Sequence, residues 1–256
     1  PAEPSSSLPA DRYRQAWWLR MEKPERARGV ATLRARAPTR EFSMPTIREY
    51  STPADNPGRL ADLKALQTEY AGSRDIEIVP GDANSALLAL LGSGFSKKTH
   101  RAYIFLDPFG IQVPWKTIEA LAATKAIEVM INFPMGMAIR RMMPRTGDVP
   151  PGWGISLDTF FGTPDWRDHA YEEVTDLGGT RTAKFADSEV RLLEWYRSRL
   201  QAAFGFVSRA QLITNTRGGH LYYLIWAGPR VEGLKGADYI LTMKPTGTSG
   251  RKPMLL

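Results

Sequence analysis

Ala102-Tyr-Ile-Phe-Leu106 runs directly into Asp107-Pro108-Phe109-Gly110. Five apolar residues rich in strand formers, stopped abruptly by turn residues, suit a parallel strand buried on both faces. Pro108 has no N–H and Gly110 tolerates unusual dihedrals, so the strand ends there in a tight loop. In an open α/β sheet, ligands sit beyond the carboxyl ends of the strands. That puts Asp107 where chemistry occurs. The plainer alternative is an Asp that only starts the next turn or helix.

Working outward, Ile127-Glu-Val-Met-Ile-Asn-Phe-Pro134 repeats the pattern, a second apolar strand ended by its own proline. Between the two lies Val113–Thr124, whose Ile118, Leu121 and Ala122 make it the crossover helix, with Trp115 read as a packing residue. Upstream, Ile76-Glu-Ile-Val79 alternates and stops at Pro80-Gly81-Asp82-Ala83-Asn84. A helix continues through Leu87, Leu88, Leu90 and Leu91. Leu60, Leu63, Leu66 and Tyr70 recur at helical spacing. Strands alternating with helices predict an α/β fold, a mostly parallel sheet with helices on both faces.

Downstream, Asp187 is read as the cap of a helix with Val190, Leu193, Leu200 and Phe204 on one stripe. Ala210-Gln-Leu-Ile213 and His220–Trp226, joined by Asn215-Thr-Arg-Gly-Gly219, predict a C-terminal antiparallel hairpin. Gly233–Met243 reads as a last helix. The α/β domain is expected to span 55–245. Within it, 144–179 is Pro-rich and then aromatic, with Trp153, Phe160, Phe161, Trp166 and Tyr171, and is expected to be an irregular insertion over the cleft. Residues 1–54, with ten Arg or Lys against six Asp or Glu, read as an irregular, Pro-broken segment, and 246–256 as a tail.

Hydrophobic residues make up 43% of the 256 and charged residues 24%, the balance of a soluble globular chain. No apolar run approaches the roughly 18 residues of a bilayer span, and no basic start precedes an apolar core. No membrane partner and a cytoplasmic location are expected. Absence of cysteine excludes disulfides and thiolate metal sites. The three histidines, His100, His169 and His220, are too scattered along the chain to suggest zinc. A net charge of +7 permits contact with phosphates, so nucleic acid is a candidate partner.

Three elements taken together carry a resemblance: the loop Gly81–Asn84, the strand end Asp107–Gly110, and Asn132-Phe-Pro134 followed by a helix with Arg140 and Arg141. They resemble the three-Cys-motif partner proteins, a bacterial family similar to class I S-adenosylmethionine-dependent methyltransferases. Asp107–Gly110 alone also resembles the tRNA guanine-N2 dimethyltransferases. The resemblance implies a Rossmann-like class I methyltransferase sheet with a C-terminal antiparallel hairpin. It implies S-adenosylmethionine as cofactor, methyl transfer to an unassigned acceptor, and a three-Cys-motif protein as partner.

The same resemblance implies roles for single residues. Asp82 would accept from the adenine amino group, with Gly81 and the Ala83 N–H beside it. A carboxylate, acceptor-only, suits an amine, although an Asp here equally caps a helix. Asp107, Pro108, Phe109, Gly110 and Asn132 would line the transfer site as its catalytic positions. Arg140 and Arg141 would meet an acidic or phosphate-bearing substrate, or form a solvated helix face. Asp55 is either a relic of the ribose-binding acid or a cap in a Pro-Gly turn.

Residues 1–54 depart from the family. They hold one glycine, Gly29, and no Gly-rich strand end for the donor. The segment is expected to come from another reading frame or to replace a lost N-terminal half. Two other readings follow: a non-catalytic partner with a degenerate methyltransferase fold, or a basic nucleic-acid-binding module.

Overall fold

The computed structural model describes residues 30–36, 46–51, 57–71, 75–80, 82–92, 100–108, 110–177 and 179–242. The expected tail and most of the first 54 residues lie outside that range, as do Asp55, Gly81 and Phe109. The elements begin with β1 (Val30–Arg36), β2 (Thr46–Ser51), α1 (Pro57–Tyr70), β3 (Asp75–Pro80), α2 (Ala83–Gly92) and β4 (Arg101–Asp107). Next come α3 (Trp115–Ala123), β5 (Ile127–Phe133), a π-helical turn (Met135–Ile139) leading into α4 (Arg140–Met142), α5 (Pro151–Phe161) and α6 (Trp166–Ala170). The chain continues with β6 (Tyr171–Asp176), β7 (Gly179–Lys184), α7 (Ser188–Phe204), β8 (Phe206–Val207), β9 (Gln211–Thr214), β10 (His220–Gly228) and α8 (Val231–Thr242).

The fold is mixed α/β. Its main sheet has the order β3-β2-β1-β4-β5-β10-β8, with β9 also paired to β10, and β6–β7 form a separate ribbon. Among the described strands two pairs are parallel, β2 with β3 and β4 with β5. The expected C-terminal hairpin is present as β9–β10, and β10 lies antiparallel to β5. The expectation of a mostly parallel sheet does not hold, because β1 runs antiparallel to both β2 and β4. The segment read as irregular therefore supplies two strands. Ala31, Leu33 and Ala35 alternate with Thr32, Arg34 and Arg36 at strand period. Small alanines and arginines make that a faint hydrophobic signal, and pairing with neighbours decides strands of this kind.

β4 shows why direction and burial need separate arguments. Ala102, Ile104 and Leu106 are buried, while Tyr103, Phe105 and Asp107 on the other face are half-buried. The strand is thus fully buried on one face and not on both. β5 is buried along nearly its whole length. On one face of these strands the main core gathers Ile104, Leu106, Val129, Ile131 and Phe133 against Ile118 of α3, Phe160 of α5 and Tyr196 of α7. On the other face Met130, Leu224 and Trp226 pack under Ala237 and Leu241 of α8. Each such large apolar side chain stabilises by roughly 1.5–3 kcal/mol when fully buried.

Residues 144–179 are not an irregular insertion. Pro151 sits at the start of α5, where its missing N–H costs nothing, and Gly162 ends the helix in the left-handed region at φ +75°. Phe160, Phe161 and Trp166 belong to the main core, Phe160 stacking on Tyr196 at 5.5 Å. Trp115 is buried, as its packing role required. The stripe expected on α7 is shifted: Leu192, Leu193, Tyr196, Leu200 and Phe204 are buried, while Val190 is exposed. Asp187 makes no side-chain cap and instead accepts from Arg191 Nε at 2.8 Å. No described helix is long and apolar enough to cross a membrane.

Candidate functional site

The carboxyl ends of β4 and β5 bring Asp107 and Asn132 together. Leu106 pairs with Ile131, so the next residues on each strand, Asp107 and Asn132, lie side by side on one face. Asn132 Nδ2 donates to Asp107 Oδ1. Asn132 is buried, and its Oδ1 meets no hydrogen-bond donor among the described residues. The loop beyond turns on Pro108 and Gly110. Gly110 has φ +79°, and among the described residues Ala138 Cβ, at 3.9 Å, borders the position a Cβ would take. The left-handed backbone selects glycine there.

Asp82 is the N-cap of α2. The backbone N–H and the hydroxyl of Ser85 both donate to its Oδ1 at 2.8 Å. The Ser85 N–H, more than the burial that opposes it, holds the Asp82 carboxyl below its ordinary range. Asn84 then ties this cap to the loop after β4. Its Nδ2 donates to the Gln112 carbonyl at 2.9 Å and makes a long 3.5 Å contact with Asp82 Oδ2. Thr117 Oγ1 donates to Asn84 Oδ1 at 3.3 Å. Ala83 is partly buried and packs against the main core. Gln112 and Thr117 carried no signal in the sequence, since their role exists only because α2 and α3 are neighbours.

Arg140 does not stand ready for a substrate. The chain leaves β5 through Pro134, whose carbonyl accepts from both Ala138 and Ile139 at 3.0 and 3.2 Å, giving the π-helical turn. That turn delivers Arg140 to Glu189 in the first turn of α7, and the two form an ion pair. His220 Nδ1 lies 3.9 Å from the other oxygen of Glu189. Arg141 is exposed and has no ion pair among the described residues. Nearby, Lys184 Nζ donates to the Met143 carbonyl at 3.0 Å. Burial pushes that ammonium below its usual range, and Arg140 and Arg145 add to the effect while Glu189 opposes it. Glu189 was not singled out from sequence, because nothing local marks it as the partner of an arginine 49 positions away.

The edge thus offers a capped carboxylate at the end of β3 and a carboxylate–amide pair at the ends of β4 and β5. Asp55, Gly81 and Phe109, expected at this edge, lie outside the described residues. A shallow groove between Pro114, Trp115, Ile155 and Gly162 shares no residue with the edge. No family model, curated protein or solved structure matches the chain.

Proposed function

We propose that the chain is a methyltransferase-like protein of the three-Cys-motif partner kind, binding S-adenosylmethionine at the carboxyl edge of its sheet. One observation carries this reading. Asp82, Asp107 and Asn132 stand at the ends of three strands within the order β3-β2-β1-β4-β5. That is the order of a doubly wound nucleotide-binding sheet, whose ligands lie at this edge.

Asp82 and Ala83, the described residues of the expected adenosine site, are compatible with the adenosine half of the donor. Asp82 is exposed, hydrogen bonds from Ser85 and Asn84 hold its carboxyl below its ordinary range, and its Oδ2 makes a long contact to Asn84 Nδ2. An exposed carboxylate at this strand end supports adenine as its partner, since it can accept from an amino group. The described residues do not fit the methionine half. β1 starts at this edge with Val30, opposite Asp107, and its carboxyl end at Arg36 lies at the far edge beside Arg101. No described loop follows β1 here to cradle the donor. The reversed β1 favours a second reading, a non-catalytic partner that keeps the nucleoside-binding edge of a methyltransferase without its chemistry.

Titration calorimetry with S-adenosylhomocysteine tests the adenosyl site. Binding in the micromolar range that is weakened at least about tenfold in Asp82→Ala, a loss of roughly 1.4 kcal/mol, supports the reading. Absence of heat up to millimolar ligand overturns it. Binding without methyl uptake by any cell fraction supports the non-catalytic form.

A further inference from the structure

Lys184 ends β7 beside the segment that follows α4. Its backbone N–H donates to the Arg145 carbonyl and its Nζ to the Met143 carbonyl, both at 3.0 Å. Two residues earlier on the strand, Thr182 packs on Gly147 so closely that a Cβ there would lie 2.6 Å from its methyl group. Segment 143–147 and β7 therefore run side by side and fix the half-buried amine in place. Its surroundings are mostly cationic. Burial above all holds the Lys184 ammonium below its usual range, Arg140 and Arg145 add to the effect, and Glu189, which opposes it, is itself paired with Arg140. More of this amine is therefore free base at neutral pH than in an ordinary lysine. Desolvation beside other cations is what makes a lysine nucleophilic. Arg145 is exposed and forms no ion pair among the described residues, so its guanidinium is open to an anion.

We propose that Lys184 is an acylation site, and that its donor is an acyl phosphate docked on Arg145. The nitrogen lone pair forms a bond to the acyl carbon, and the bond from that carbon to the phosphate oxygen breaks. Phosphate leaves with the electron pair, and the surplus N–H proton passes to water. A guanidinium binds phosphate oxygens through paired N–H bonds and favours the charge that gathers on this leaving group. The product amide is neutral, so acylation removes a charge from beside Arg140 and Arg145. It keeps one N–H for the Met143 carbonyl. The step uses no methyl donor and none of Asp82, Asp107 and Asn132, so it stands apart from the proposed function.

Acetyl phosphate is the probe. The full chain is treated with it at neutral pH, and the rate of acetylation at each lysine is read by peptide mass spectrometry. Lys184 is expected to react at least about threefold faster than the exposed Lys116 and Lys235. Arg145→Ala should slow Lys184 more with acetyl phosphate than with p-nitrophenyl acetate, an uncharged donor that has no use for a guanidinium. Wild-type Lys184 reacting no faster than the two exposed lysines overturns the proposal. So does an Arg145→Ala variant in which both donors are slowed equally or neither is slowed.

Discussion

A Cβ added to Gly136 would stand 1.9 Å from the carbonyl oxygen of His220. The π-helical turn after β5 therefore passes against the start of β10 at a distance only glycine allows. The obstacle is backbone, so no rotamer change relieves it. Gly136→Ala is expected to cost about 3 kcal/mol by forcing the turn and strand apart. Urea unfolding reads the loss, and a variant with an unchanged midpoint would show that the turn yields freely.

The Asp107–Asn132 pair makes a second expectation. Asp107→Ala leaves the buried Asn132 Nδ2 without its acceptor, a cost of about 1–3 kcal/mol. Asp107→Asn keeps an acceptor oxygen and should lose less. Thermal melts of the two variants compare them, and equal stability would mean that the pair contributes nothing to the fold.

Asp82 links stability to pH. Its carboxyl is held below the ordinary 3.8, chiefly by the Ser85 N–H. A depressed carboxyl supplies stability that is full above the ordinary value and is lost as pH falls through the depressed one. Asp82→Ala should cost about 1 kcal/mol at neutral pH, the usual worth of a helix cap. The gap between variant and wild type should close in acid. A gap that stays constant from pH 7 to pH 3 would place the effect elsewhere than in the charged cap.

Arg199 lies between two rings. Its Cζ is 3.9 Å from the centroid of Trp115 and 5.1 Å from that of Trp195, and it donates to the Phe161 carbonyl. A planar guanidinium can do all three at once, and a lysine ammonium cannot. Arg199→Lys is expected to lose about 1–2 kcal/mol and to shift tryptophan emission as Trp195 loosens. Calorimetric melting equal to wild type would refute the stacking role.

Much of the architecture could be read from local pattern. The apolar runs at 102–106 and 127–133, the hairpin of β9 and β10, and helices α3 and α7 lie where spacing and turn residues put them. Three things could not. β1 has the period of a strand, but its alanines and arginines give hydropathy too little contrast. α5 looks like a loop because Pro150, Pro151, Gly152 and Gly154 stand together, although its first proline suits a helix start and Phe160 and Phe161 need a core to enter. Val190 falls on the expected stripe of α7 yet faces outward, because the helix is turned to bury Leu192 and Tyr196.

The candidate site divides along the same line. Asp82, Asp107 and Asn132 were legible as strand-end polar residues, since an apolar run that stops at a turn is a local signal. Their relations were not. That Asn132 bonds Asp107 follows from the register of β4 on β5, that Arg140 is taken up by Glu189 follows from where α7 docks, and that β1 runs backward follows from backbone pairing. A backbone ladder accepts either direction with little regard to side chains. Local sequence thus sets which segments become strands and helices and where they stop, while direction, neighbours and the partners of charged groups come from contacts between residues far apart in the chain.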